Sequence, residues 1–386
     1  MPQSALLVAH SGGPTAVLNA SLAGVVDEAR QHAAIDGCYG ARLGIEGLLS
    51  DDLIDLGSVP AARMAAIADQ AGSALGTSRK AVTREDLARV VDVCRRRGVR
   101  FVLYTGGNGS MGTARDLAQV ARDAGSPLSV IGVPKTVDND LAGTDHAPGY
   151  GSAARFFAAA ARDIGADNRA LRGVVQFIEV LGRHAGWLVA ATTLARRSDD
   201  DAPHLVYCPE RPLPLTRLLD DVQRVFDRHH RCVVAVCEGQ LDERGEPFGA
   251  DVRMSSRGPL ATNLAHRLAT LVTDRLGIKA RGEKPGLLGR VSRDLRSSVD
   301  WHEARLCGAA AVRAAVAGES GVMITLERAP GEEYHCATGR VALTDVADVE
   351  RTMPTEWIPA EGNDIDAAFR RWASPLVGGV TGYDIL

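Results

Sequence analysis

Short unbroken apolar runs alternate along the chain with stretches in which apolar residues recur every three or four positions. Ala5–Ala9 is an unbroken run of the first kind, and Phe101–Tyr104, Leu128–Val133, Val174–Val180, His204–Tyr207, Cys232–Cys237 and Gly321–Leu326, mostly apolar, are read as strands with it. That is the pattern of strands buried on both faces. Ala16–Arg30 is of the second kind, with Val17, Leu18, Leu22, Val25 and Val26 on one side. Helices are also predicted over Thr83–Gly98, Ala185–Ala195, Pro214–His229, about Gly258–Leu276, and Leu306–Val316. Thr83 with Asp86 reads as a capping box, Arg95–Arg97 fall in a last turn, and Gly98 follows as the residue past the helix. The arginine run is therefore read as a helix end that complements the dipole rather than as a binding patch. Phe101–Tyr104, a helix to about Asp123 and Leu128–Val133 make a βαβ unit, which requires a parallel sheet. The alternation recurs later, so the fold class expected is α/β, doubly wound, with two layers sharing the chain. After Thr352 the pattern says little.

Composition narrows this picture. The 386 residues are 45% hydrophobic and 24% charged, ordinary for a globular protein and unlike a disordered or fibrous chain. The length fits two domains or one large α/β unit. A net charge of −4 offers no basic surface for nucleic acid. No apolar run approaches the roughly 18–20 residues of a membrane span. Met1–Ala9 lacks a charged leader and enters a core strand, so no signal peptide is expected. The seven cysteines are odd in number and lack a C-x-x-C pair, which argues against disulfides or a zinc ribbon and for reduced thiols in the cytoplasm.

Three glycine-rich turns each follow a predicted strand: Ser11–Thr15, Thr105–Ser110 and Gly132–Asp140. In a parallel sheet these lie at the carboxyl ends of strands, where ligands bind. The first two are expected to open helices, whose free N–H groups attract anions. Gly107-x-Gly109-x-x-Gly112 matches a dinucleotide fingerprint in form, but the next strand runs into Gly132-Val-Pro-Lys135 without the required acid. The Walker pattern is absent. Lys135-Thr-Val-Asp-Asn-Asp140 is the sharpest local signal, with two carboxylates, a hydroxyl and a lysine in six residues. One carboxylate could act as general base and the other hold Mg²⁺ or steady the first, while the lysine neutralises phosphate charge. The same residues would also suit a solvated turn with an Asx cap.

Gly12-Gly13, Gly106-Gly-Asn-Gly-Ser110, Pro134-Lys-Thr-Val-Asp-Asn-Asp140, Leu181-Gly-Arg183 and Glu238-Gly239 occur in the order of the phosphofructokinase family, which the chain resembles over roughly residues 5–330. Arg281 and Arg290 match its two late substrate arginines. The resemblance implies transfer of a phosphoryl group to the 1-hydroxyl of fructose 6-phosphate, with Mg²⁺. It implies two doubly wound domains with the active site in the cleft between them. The expected donor-binding domain is 1–149 with about 289–345, and the sugar-phosphate domain about 150–288 with 346–386. By position, Asp138 would be the general base, Asp140 its supporting carboxylate, and Thr136 and Val137 would line the reacting end of the sugar. Gly12, Gly13, Gly107 and Gly109 would cradle the donor phosphates with Arg79. Asn108 falls where the family has its Mg²⁺-linked acid. Leu181, Gly182, Arg183 and Glu238 would hold the sugar, and Arg281 and Arg290 its 6-phosphate, which suits the guanidinium fork. Leu287 stands where some members have a histidine, His184 is left as packing, and Arg172 is two residues out of register with an arginine the family lends across a subunit interface. A homodimer or homotetramer is implied.

The family divides between ATP and pyrophosphate, and two positions disagree. Lys135 is typical of pyrophosphate users, whereas Gly109 is typical of ATP users. Ser11–Ala20, Ala147–Ala154, Gly182–Trp187 and Ser298–Ala304 are worded like the pyrophosphate-dependent branch, which is the reading adopted. An ATP-dependent 6-phosphofructokinase is the alternative, and a non-catalytic sugar-phosphate sensor a distant one. The intact Asp138/Asp140 pair speaks against the last.

Overall fold

The computed structural model describes residues 4–248, 252–255 and 258–384. The chain divides into two compact units, Met1–Tyr150 with Ser298–Arg351, and Gly151–Ser297 with Thr352–Leu386.

The first unit is built on a seven-stranded sheet. Its strands are β1 (Ala5–His10), β2 (Gly37–Ala41), β3 (Leu53–Asp55), β4 (Val99–Gly106), β5 (Ser129–Pro134), β12 (Val322–Arg328) and β13 (Cys336–Ala342), in the spatial order β13-β12-β5-β4-β1-β2-β3. The five central strands are parallel, and β3 and β13 close the edges antiparallel. Successive side chains of β1 explain the layering. Ala5, Leu7 and Ala9 enter one apolar layer and Leu6 and Val8 the other, all fully buried. Each such leucine or valine contributes about 1.5–3 kcal/mol relative to an exposed one. The helix Arg84–Arg96 has the expected capping box, Thr83 Oγ1 accepting from the Asp86 N–H and the Asp86 carboxylate from the Thr83 N–H.

The second unit holds a four-stranded parallel sheet in the order β11-β6-β8-β7, from β6 (Val174–Val180), β7 (Leu205–Tyr207), β8 (Cys232–Cys237) and β11 (Lys279–Glu283). A two-stranded antiparallel ribbon, β9 (Val252–Ser255) with β10 (Gly258–Ala261), stands apart from it.

The α/β class and its parallel strands stand as expected, but several elements differ; the helix expected over Leu306–Val316, for one, begins at Ser298. The helix expected from Gly258 begins at Leu264, because Gly258–Ala261 pairs with Val252–Ser255 and Asn263 takes a left-handed backbone at the helix entry. The expected start had joined this strand and helix. Residues 256 and 257 lie outside the described residues. The helix expected over Ala185–Ala195 is α-helical only at Trp187–Ala191 and tightens to a 3₁₀ turn at Thr192–Ala195. The tail after Thr352 carries a helix, Ala367–Val377, whose Phe369 and Trp372 stack with Trp357 and Trp187.

Candidate active site

In the first unit the carboxyl ends of β1, β4 and β5 bring the expected donor and catalytic residues together. Ser11 N–H bonds to Thr105 O, Gly12 N–H to Ser78 O, and Lys135 N–H to Gly106 O. These bonds seat the Gly12–Gly13 turn, the segment before Arg79, the Gly107 turn and Lys135 on one edge of the sheet. Lys135 is only 3% exposed, and its ammonium donates to Gly13 O at 2.7 Å. Gly12 has φ +79°, and a Cβ there would lie 3.1 Å from Lys135 Nζ, so the turn needs glycine both for its backbone and for the lysine beneath it. Arg79 itself is exposed.

The helix Asn108–Asp123 starts directly after Gly107, and no side chain caps it. The leading N–H groups of a 16-residue helix therefore face outward from the end of β4, the arrangement that receives phosphate. The first glycine turn differs from the expectation, since its helix begins only at Leu18. Nothing lies within 4 Å of where a Gly109 side chain would begin. Asn108 is engaged at both ends: Nδ2 donates to Val349 O at 2.6 Å, and Oδ1 accepts from Asp348 N–H at 2.9 Å. A neutral amide so committed is a weak ligand for Mg²⁺. The ion prefers carboxylates and substrate phosphates.

The loop after β5 is held by its own side chains. Thr136 Oγ1 donates to Asp140 Oδ1 at 2.8 Å and accepts from the Asp138 N–H at 3.1 Å. Asn139 adopts φ +57°, and its Oδ1 accepts from Ala147 N–H at 3.0 Å. Asp140, 3% exposed, accepts the Arg351 N–H at its carbonyl. Gly149 N–H donates to Asp300 Oδ1 at 2.8 Å. Two of the branch-like phrases, Ala147–Ala154 and Ser298–Ala304, thus meet in one hydrogen bond. Asp138 is less buried than its neighbours Val137 and Asn139.

His10 lies one residue beyond the expected strand Ala5–Ala9 and was not among the expected site residues. It is the last residue of β1, fully buried, with Nδ1 at 2.9 Å from Ser73 Oγ. Burial first, and the Lys135 ammonium second, hold its imidazole down at about 3, so it is neutral at pH 7. Only its place ahead of the glycine turn could have signalled it.

In the second unit β6 and β8 are neighbours, with Val180 opposite Cys237. Their following loops therefore lie side by side, and Glu238 N–H donates to Val180 O at 2.8 Å. This brings Leu181, Gly182, Arg183 and Glu238 together. A Cβ on Gly239 would fall 1.7 Å from Arg183 O, and Arg183 itself sits at φ +48°. The half-buried Glu210 carboxylate accepts from the N–H of Gly186 and of Met353, each at 2.8 Å, which fixes the far side of the loop. Burial pushes that carboxyl above its ordinary range against these bonds. Arg281 is exposed on the edge strand β11, opposite Gln176 of β6. Arg290 stands on a separate short helix, Leu288–Val291.

A family model described as Phosphofructokinase matches residues 5–315. The chain belongs to the phosphofructokinase family. The pyrophosphate–fructose 6-phosphate 1-phosphotransferase of Rhodospirillum rubrum is 37% identical over 382 residues, covering 97% of this chain and 94% of its own. The enzyme of the same name from Xanthomonas campestris is 39% identical over 390 residues, covering 98% and 93%. The crystal structure of the pyrophosphate-dependent phosphofructokinase of Marinobacter aquaeolei matches with a TM-score of 0.89 at 34% identity, covering 99% of this chain and 93% of that one. All three relatives bear the name of the pyrophosphate-dependent branch. Among the described residues, no helix is long and apolar enough to cross a membrane.

Proposed function

We infer that the protein transfers a phosphoryl group from inorganic pyrophosphate to the 1-hydroxyl of fructose 6-phosphate, giving fructose 1,6-bisphosphate and phosphate. The observation that carries this reading is the loop in which Thr136 links the Asp138 backbone to the Asp140 carboxylate, beside a lysine held under the Gly12–Gly13 turn. Asp138 takes the proton of the 1-hydroxyl as its oxygen attacks the nearer phosphorus and the P–O–P bridge breaks. Asp140 and Thr136 set the direction of that carboxylate, and Val137 lines the reacting end of the sugar. The pyrophosphate lies on the turn N–H groups of Gly12, Gly13, Gly107 and Gly109, with Arg79, and Lys135 offsets the charge that gathers on the phosphoryl group in flight. Mg²⁺ bound with the pyrophosphate would offset its charge, and Asn108, whose amide is engaged at both ends, would offer it at most one neutral oxygen. Leu181, Gly182, Arg183 and Glu238 hold the sugar, and Arg281 and Arg290 its 6-phosphate. The enzyme works in the cytoplasm, in glycolysis, as a homo-oligomer.

A second reading, ATP as donor, is favoured by one observation: the open space at Gly109, which would admit a nucleotide's α-phosphate. A coupled assay of fructose 1,6-bisphosphate formation, run in parallel with pyrophosphate and with ATP, separates the two. Turnover with pyrophosphate at least about 10-fold above that with ATP, a difference of ~1.4 kcal/mol in barrier, supports the proposal. The reverse ranking overturns it.

A further inference from the structure

One buried polar cluster of the first unit takes no part in the proposed chemistry. His146, in the loop beyond Asp140, is fully enclosed. Its Nδ1 lies 2.8 Å from Asp145 Oδ2 and its Nε2 2.7 Å from Glu303 Oε2. Glu303 comes from the helix Ser298–Val316 and is buried. Tyr334 donates its hydroxyl to the other Glu303 oxygen. Cys336, the first residue of β13, completes the group. The ligating atoms of His146, Glu303 and Cys336 all lie within 4.8 Å of one another. Cys336 is also the one half-buried thiol; the other six cysteines are buried.

We propose that His146 Nε2, a Glu303 carboxylate oxygen and Cys336 Sγ form a divalent metal site of zinc-like preference that braces the loop behind the catalytic carboxylates. Three arguments support it. Imidazole, carboxylate and thiolate together make the nitrogen, oxygen and sulfur donor set of tetrahedral zinc and not that of Mg²⁺. The second ring nitrogen of His146 faces a carboxylate, Asp145, the partner that orients metal-bound imidazoles and leaves Nε2 as the ligating atom. The required movement is small. Ligand bonds of about 2.0–2.1 Å to nitrogen and oxygen and ~2.3 Å to sulfur put tetrahedral donors about 3.3–3.6 Å apart. Glu303 would withdraw from His146 by roughly half an ångström, and the Cys336 sulfur, within 4.8 Å of both, would close by no more than about 1 Å. The ion replaces the proton shared by His146 and Glu303 and the thiol proton of Cys336, so the net charge of the cluster is unchanged. The Tyr334 hydroxyl or water is left for the fourth position.

The bracing follows from connectivity. Asn139 Oδ1 accepts from Ala147 N–H, next to His146, so fixing His146 to the helix and to β13 stiffens the loop that carries Asp138 and Asp140. The site is independent of which phosphoryl donor the enzyme uses.

The test uses the full chain, stripped with a chelator and titrated with Co²⁺ without sugar or pyrophosphate. One Co²⁺ per chain is expected, with a thiolate-to-cobalt charge-transfer band in the near ultraviolet and strong tetrahedral d–d absorption. Cys336→Ser, at a half-buried edge position where folding is secure, should abolish the charge-transfer band and weaken binding about 10-fold or more, as ligand-sphere changes do. Zn²⁺ should raise the Tm of wild type and displace the cobalt spectrum, and at the same Zn²⁺ concentration it should raise the Tm of Cys336→Ser distinctly less. Absence of a thiolate band in wild type overturns the proposal, as does a band that survives in Cys336→Ser.

Discussion

Replacing Thr136 by valine tests the geometry of the catalytic loop, because it removes one oxygen and almost no volume. The residue is 8% exposed, and its hydroxyl makes two bonds, to Asp140 Oδ1 at 2.8 Å and from Asp138 N–H at 3.1 Å. A hydrogen bond to a charged group contributes about 1.5–3 kcal/mol and a neutral one about 0.5–1.5. Thr136→Val should therefore lower the unfolding free energy by about 2–4 kcal/mol, read from urea denaturation at unchanged slope. The kinetic effect separates positioning from mere stability. With this tether of the Asp138 backbone removed, a misplacement on the scale of 1 Å costs about 10²-fold, so kcat should fall roughly 10–100-fold while KM for fructose 6-phosphate moves little. Thr136→Ser keeps the hydroxyl and should recover most of both losses. If Thr136→Val stays within about 0.5 kcal/mol of wild type, the range of an ordinary surface change, and keeps its kcat, the loop is held by something else and the reasoning fails.

Asp138→Asn should fold as wild type by circular dichroism and lose roughly 10²–10⁴-fold in kcat, the usual cost of removing a positioned general base. Arg281→Ala should raise KM for fructose 6-phosphate roughly 10–150-fold, the equivalent of one charged hydrogen bond of about 1.5–3 kcal/mol, and leave the donor KM nearly unchanged. An equal rise in both would place Arg281 outside the sugar site. Lys135→Met keeps the buried stem and removes the ammonium, so pyrophosphate-dependent kcat should drop about 10²-fold or more. In the same variant the His10 imidazole should titrate above its present value of about 3, by NMR, yet stay neutral at pH 7 because burial is the larger cause.

The sequence made some of this legible and not the rest, for physical reasons. Strands buried on both faces, such as Ala5–His10 and Cys232–Cys237, announce themselves as largely apolar runs, and the capping box at Thr83 and Asp86 is local chemistry. The helix Tyr150–Ala170 and the edge strand β11, Lys-Ala-Arg-Gly-Glu, carry no such signal, since charges and small residues stand where periodicity should show. The loop Lys135–Asp140 stood out as a motif, but its hydrogen bonding was not legible: that Thr136 joins two carboxylate residues, and that Asp300 reaches Gly149 across 151 positions, depends on packing. Asn108 shows the same limit. Its position matched a metal-linked acid, while its amide is occupied by the backbone of residues 348 and 349, which only tertiary structure brings near.

The most direct measurement of the central claim is the ratio of kcat/KM for pyrophosphate over ATP, taken at saturating Mg²⁺ and fructose 6-phosphate for wild type and for Gly109→Asp. Nothing lies within 4 Å of where a side chain at Gly109 would begin, so folding should be unaffected. A carboxylate there meets only the α-phosphate of a nucleotide, and like charges in a partly dry site repel strongly. The account predicts a wild-type preference for pyrophosphate, largely intact pyrophosphate turnover in Gly109→Asp, and loss of whatever ATP activity wild type shows. A wild-type preference for ATP, destroyed by Gly109→Asp, would contradict it and make the chain an ATP-dependent member of the family whose Lys135 serves the fold alone.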